Sequence, residues 1–340
     1  MSWWMLALGC VHTLQPTMVP DEVLTVTTDD GWHNGLLHYP PAGGADGPPV
    51  LLVHGMAANH YNFDFREEVS LAAALQEAGF DVWIPELRGD PGAVPPGRRG
   101  QRREVTFDAH AELDVPAAVH EVLARTGADQ LSWVGHSMGG MLLYAWLAEE
   151  PETVAAGVSI CSPSTFAAQT APFYVRAAKI TLGGPGRVRV PVFARLMHPL
   201  GRTNPFFGRV ANRQNLDWPT ANGLAKYALN DVSKPLARQA LGWVRADALT
   251  HLDGSPWVVA EGVPTVPMLV LGAPDDNVVA VDDVRATCDV YPDCTYRELS
   301  VAEGFSTDYG HVDPVVGTTA RTEVYPLVVD FLQAHAPEPH

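Results

Sequence analysis

Cysteine is scarce in this chain of 340 residues: four in all, Cys10, Cys161, Cys288 and Cys294. None belongs to a Cys-x-x-Cys pair and no cysteine–histidine cluster has zinc spacing, so no structural metal is expected. Basic residues are also few. Against 39 Asp and Glu stand 22 Lys and Arg, a formal net charge of −17. A surface of that sign is repelled by nucleic acid and by anionic lipid, so neither is expected as a main partner. Long apolar runs are missing too. No stretch after the first residues reaches the roughly 18 uninterrupted apolar positions of a membrane-spanning helix, and no integral span is expected. Plentiful instead are proline (29) and glycine (30), set among 46% hydrophobic residues. That mixture suits a large core wrapped in many loops, as one large domain or two modest ones.

The first residues, "MSWWMLALGC", are apolar and end at Cys10. They resemble the end of a bacterial lipoprotein signal with Cys10 as the lipidated residue, although no Lys or Arg precedes the run. The two expectations are a cell-envelope lipoprotein, or a cytoplasmic protein with a plain apolar tail. Cys288 and Cys294 lie close enough to bridge in an oxidising compartment, or else stay as two buried thiols.

Strand and helix signals alternate along most of the chain. "EVLTVTTDDGWHNGLLHYPP" (Glu22 to Pro41) reads as a hairpin turning near Asp30-Gly31. "PVLLVHG" is a short strand of the kind buried on both faces, followed by a helix in "EEVSLAAALQEAG", a strand in "FDVWIPELRG" and a helix in "FDAHAELDVPAAVHEVLARTG". "QLSWVGH", "MGGMLLYAWLAEE" and "TVAAGVSIC" continue as strand, helix and strand. The fold class is therefore α/β, a mostly parallel central sheet with helices on both faces. From 162 to 259 the rhythm breaks into irregular and short helical stretches, and it returns with "TVPMLVLGAPDD". The expected organisation is an N-terminal tail (1–20), a core built from 21–161 and 260–340, and an inserted lid (162–259).

One stretch carries the chemistry. In "LSWVGHSMGGM" a strand stops at Gly135-His-Ser137-Met-Gly139 and a helix starts straight after it. A Gly-x-Ser-x-Gly at such a junction forces the serine into a strained turn. The glycines remove side chains that would collide there, and the helix N-terminus supplies free N–H groups behind the hydroxyl. A serine hydroxyl needs a base, itself oriented by an acid. The turn of "MLVLGAPDDNV" offers Asp275 and Asp276, and the loop "TDYGHVDP" offers His311. The Met138 N–H, directly after the nucleophile, and the Met56 N–H, after the His54-Gly55 turn, are the expected oxyanion donors.

The stretches "LLVHGMAANHYNFDF", "SLAAALQEAGFDVWIPELRG", "VGHSMGGM" and "GHVDPVVGTTARTEVYPLVVDFL" resemble the α/β-hydrolase superfamily over about residues 20 to 336. They are similar to a branch holding acid-lipase-like enzymes and relatives of polyhydroxyalkanoate synthases. Those synthases use a cysteine nucleophile and haloalkane dehalogenases an aspartate, so Ser137 implies hydrolysis rather than either chemistry. "GAPDDNV" resembles the acid turn of serine peptidases of this fold, where the first Asp acts. That implies Asp275, with Asp276 as the alternative.

The function expected is a serine hydrolase cleaving small-molecule carboxylic esters with a hydrophobic acyl group, using no metal and no organic cofactor. A thioesterase, amidase or acyltransferase is the alternative within enzymes, and a ligand-binding module with an idle triad the alternative outside them. His54 and His136 read as packing residues, Asp313 as a residue ordering the His311 loop, and Trp133, Tyr144 and Trp146 as core. Arg98, Arg99, Arg102 and Arg103 read as a solvated loop. Phe206, Phe207, Trp218 and Trp243 either line an acyl pocket or hold the lid together. Oligomeric state is not legible.

Overall fold

The computed structural model describes residues 13–44, 46–97, 105–168, 186–197, 207–259 and 262–336. Cys10, the arginine run at 98–103 and Phe206 lie outside them. The hairpin is present as β1 (Glu22–Thr27) and β2 (His33–Tyr39), paired antiparallel, with Gly31 closing the turn onto the Thr28 carbonyl. Next come β3 (Pro49–Val53), helix α1 (Leu71–Glu77) and β4 (Asp81–Pro85). Helix α2 (Val115–Thr126), β5 (Leu131–His136), helix α3 (Met138–Glu149) and β6 (Val154–Ile160) follow.

The chain then leaves the sheet. Two short strands, β7 (Arg187–Val188) and β8 (Val232–Ser233), pair with each other. Helices α4 (Trp218–Tyr227) and α5 (Lys234–Ala246) start on side-chain caps from Asp217 and Ser233. The sheet resumes with β9 (Met268–Gly272) and β10 (Cys294–Glu298), and α6 (Tyr325–His335) follows near the C-terminus. Cys288 and Cys294 form a disulfide, and Cys161 is free and buried.

The sheet order is β1-β2-β4-β3-β5-β6-β9-β10, with every pairing from β4 to β10 parallel. Strands β3, β4 and β5 are buried at every position, as parallel strands covered on both faces must be. Their side chains alternate between two cores. Val50, Leu52, Val82, Ile84 and Val134 face α1 and α6, through Leu71, Leu75, Val328 and Leu332. Leu51, Val53, Trp83 and Trp133 face α2 and α3, through Val119, Val122, Leu142 and Leu147. Full burial of one such side chain contributes about 1.5–3 kcal/mol.

The expected single helix over "FDAHAELDVPAAVHEVLARTG" is interrupted. Residues His110–Asp114 form one widened, π-type turn before α2. Pro116 is the cause: it has no N–H to donate, and its ring crowds the carbonyl one turn back. Gly127 ends α2 in the left-handed conformation, its N–H on the Leu123 carbonyl. Among the described residues no helix is long and apolar enough to cross a membrane.

Candidate active site

Three adjacent strands, β3, β5 and β6, end side by side, and α3 starts in the cleft between them. The glycines make that approach possible. A Cβ on Gly139 would lie 1.8 Å from the Val53 carbonyl oxygen, and one on Gly140 2.3 Å from the Ser162 Oγ. On Gly135 it would lie 2.3 Å from the Gly139 backbone, and on Gly55 2.9 Å from the Ser137 Cβ. Between β5 and α3, Ser137 takes φ 53° and ψ −118°, a region that a side chain rarely adopts. Its N–H is held by the Ile160 carbonyl at 2.9 Å, and its own carbonyl accepts from Gly140 and Met141. The hydroxyl is thereby lifted over the sheet edge.

His311 stands opposite, buried, with Nε2 3.0 Å from the Ser137 Oγ. Its loop is tied down from several sides. The Asp313 carboxylate accepts from the Gly310 N–H, from the Asn212 N–H and from the Asn215 amide. Burial pushes the Asp313 carboxyl up to about 6, against those hydrogen bonds. The His311 carbonyl accepts from His136 Nε2 at 2.8 Å. Burial and the neighbouring His311 lower the His136 pKa to about 3, so the ring is neutral with its proton on Nε2. His136 is thus a support for the His311 backbone.

The acid differs from the preferred expectation. The carboxylate on His311 Nδ1 belongs to Asp276, at 2.7 Å, with its side chain 1% exposed. Its other oxygen accepts from the Val278 and Val279 N–H groups at 2.7 and 2.9 Å. Asp275 is exposed and points away, because its own N–H is fixed on the Tyr309 carbonyl at 2.9 Å, which turns the next residue inward. The structure therefore brings together Ser137, His311 and Asp276, and corrects Asp275 to Asp276 as the partner of the histidine.

Met138 opens α3, where the first N–H groups have no intrahelical acceptor. Met56 lies in the loop after β3, and both methionines line one cavity of about 30 Å³ together with Asp90, His110, Ser233 and Leu236. A second cavity of about 40 Å³ is walled by Phe207, Arg213, Leu216 and Trp218, with the Phe207 and Trp218 rings edge to face. Trp243 packs with Phe107 and Phe166 as part of the core.

Three residues beside the site gave no signal in the sequence. Cys161, at the end of β6, has φ 51° and a buried thiol next to Asp276 and His311. Burial and the charges of Asp276 and Asp313 raise its pKa well above the ordinary value, so it stays a protonated thiol. Asp90 and Asn230 contact the loop that carries Met56.

Two groups of potential metal ligands exist among the described residues. The first, Cys161, Asp276 and His311, consists of atoms already engaged around the serine; the second is Asp108, Glu112 and His251. In that second group Asp108 already accepts from Gln239, Leu252 and Trp257.

The family model for the alpha/beta hydrolase fold matches residues 48–304, and the chain belongs to that family. The match includes Ser137 and Asp276 and ends ahead of His311. The chain is similar to the human lysosomal acid lipase/cholesteryl ester hydrolase, 31% identical over 147 residues, 39% of this chain and 36% of that protein. Over 371 aligned positions it is 24% identical to Lipase 3 of Drosophila melanogaster, covering 96% of this chain and 93% of that one. Curated relatives at 30–31% identity, such as Lipase member K and the acid lipase, are spanned over only 36% of their length. Among solved structures, a thermophilic esterase from Thermogutta terrifontis superposes with a TM-score of 0.60 at 18% identity, covering 93% of this chain and 100% of that one. At that identity the likeness is one of fold.

Proposed function

We propose that this protein hydrolyses carboxylic esters through an acyl-enzyme on Ser137. The observation that carries the reading is the hydrogen-bonded chain Ser137 Oγ, His311 Nε2, His311 Nδ1, Asp276 Oδ2, with links of 3.0 and 2.7 Å. His311 takes the hydroxyl proton as the Ser137 oxygen attacks the acyl carbon. Asp276 keeps the proton of the imidazole on Nδ1 and stabilises the imidazolium that forms. The carbonyl oxygen, now an oxyanion, accepts from the Met56 and Met138 N–H groups. Collapse expels the alcohol, which leaves with the proton from His311. A water then gives its proton to His311 and attacks the acyl carbon. The acid departs and the proton returns to Ser137.

Relatives named as lipases and a cholesteryl ester hydrolase support an ester substrate with an apolar acyl part. In this reading the segment 162–259 is a cap over the sheet edge. The test is labelling with a fluorophosphonate probe, followed by turnover of nitrophenyl esters graded by chain length. The reading expects an adduct on Ser137, absent from Ser137→Ala, and ester turnover by the unlabelled enzyme that is lost as the adduct forms. A folded protein that neither labels nor cleaves any ester refutes it.

A further inference from the structure

The Met56 N–H and the Gly55 carbonyl belong to one peptide group, and in a trans peptide they point in opposite directions. Whatever holds the Gly55 oxygen therefore aims the Met56 N–H. Two donors hold it: the Ala58 N–H at 3.2 Å and His54 Nδ1 at 3.0 Å. The other ring nitrogen of His54 lies 2.9 Å from the Asp90 carboxylate. Both nitrogens face acceptors, so the buried ring carries two protons. Burial works against that charge. The Asp90 carboxylate, the Gly55 carbonyl and the charge of Glu86 outweigh it and bring the pKa up to about 9.

Asp90 is itself held from outside the sheet. Its Oδ2 accepts from the Leu87 N–H at 2.7 Å and its Oδ1 from the side-chain amide of Asn230, also at 2.7 Å. Asn230 stands between α4 and β8, in the segment inserted between β6 and β9. It is 8% exposed and its amide is fully used. The Nδ2 group also donates to the Ala58 carbonyl at 2.9 Å, and Oδ1 accepts from Asn59 at 3.0 Å. The Asn230 backbone N–H donates to the Ala57 carbonyl at 2.8 Å. Ala57 has φ 64°, a left-handed conformation that alanine avoids unless its surroundings impose it. One residue of the inserted segment thus binds three consecutive residues of the loop after Met56, and the carboxylate behind His54.

We propose that Asn230 is a positioning residue for the oxyanion hole. Through Asp90 and His54 it sets the direction of the Gly55–Met56 peptide, and so couples the placement of the inserted segment to acyl transfer. The inference rests on the hydrolase reading above. An oxyanion donor acts in the transition state, so its misalignment lowers kcat and leaves KM nearly unchanged.

The experiment compares wild type, Asn230→Ala and Asn230→Asp on a short, soluble nitrophenyl ester. Sites are counted by fluorophosphonate titration, and folding is followed by thermal unfolding. Expected is a fall in kcat per titrated site of at least about 10-fold for both variants, with KM within about 3-fold. Asn230→Asp is nearly isosteric and keeps the acceptor for Asn59, but sets an oxygen against the Asp90 carboxylate. It therefore separates loss of the donor from loss of bulk if the alanine variant folds poorly. An active wild type with both variants equal to it per titrated site overturns the inference, as does a fall confined to the number of sites. A wild type that neither labels nor turns over ester fails at the hydrolase reading itself, and the inference falls with it.

Discussion

Replacing Asp276 by asparagine tests the site at its least obvious member. The change keeps the shape and spares the fold: the asparagine carbonyl can still accept from the Val278 and Val279 N–H groups. That leaves the NH2 group against His311 Nδ1, where the carboxylate oxygen stood at 2.7 Å. Two donors cannot share that contact, so the imidazole moves its proton to Nε2. Nε2 is the atom 3.0 Å from the Ser137 oxygen, and once protonated it cannot take the serine proton. The wrong tautomer and the lost stabilisation of the imidazolium together are worth about 10⁴ in kcat in serine triads of this geometry, or roughly 5 kcal/mol. Asp275→Asn changes an exposed side chain that faces away from the histidine and should leave kcat within about 3-fold. Both variants are measured for kcat on a nitrophenyl ester and for their rate of fluorophosphonate labelling, with Tm as the control for folding. The reasoning is refuted if Asp276→Asn keeps near-normal rates in both assays, or if Asp275→Asn loses as much.

Gly139→Ala would place a Cβ 1.8 Å from a backbone oxygen that cannot move aside; a loss of at least about 3 kcal/mol in stability is expected, read as a large drop in Tm or as insoluble protein. The His54 pKa of about 9 lies above its ordinary 6.5. Its stabilising contribution, roughly 3 kcal/mol from the shift, is therefore fully present below pH 6.5 and lost as pH rises through 9; urea unfolding at pH 7 and pH 10 checks this, and Asp90→Asn should flatten the difference. Ala57→Gly removes the steric penalty of φ 64° but frees the unfolded chain; these effects nearly cancel, leaving stability within about 1 kcal/mol, and kcat should stay within about 3-fold because the Asn230 contacts that hold the loop do not use the Ala57 side chain.

The sheet, its two-sided cover and the serine and histidine of the site were legible for physical reasons. Parallel strands buried on both faces announce themselves as short apolar runs, and "LSWVGHSMGGM" combines such a run with the glycines a tight strand-to-helix turn requires. His311 could be placed because it ends a loop after the last strand. The acid could not be settled, since Asp275 and Asp276 are neighbours of identical chemistry. What separates them is one backbone hydrogen bond to Tyr309, made 34 residues further along the chain. Asn230 was invisible for a similar reason. Its partners Ala58, Asn59 and Asp90 lie 172, 171 and 140 residues away, and nothing in the local pattern around it marks a contact that tertiary structure alone creates.

Backbone strain gives an independent account of where the candidate site sits. Among the described residues, four other than glycine have positive φ: Ala57, Ser137, Cys161 and Asp247. Asp247 ends a helix, a place where the left-handed conformation is common. The other three follow β3, β5 and β6, strands that are neighbours in the sheet. Each such residue costs about 1–3 kcal/mol and persists only where its surroundings over-determine it. Here the restraints are visible. Ser137 is fixed by the Ile160 carbonyl, Cys161 by the Leu271 carbonyl, and Ala57 by the Asn230 N–H on its own carbonyl. Two of these restraints come from the rigid sheet, and the third comes from the inserted segment. Ser137 and the wall behind Asp276 are therefore set by the core, whereas the loop bearing Met56 depends on a contact that is made only when that segment is in place.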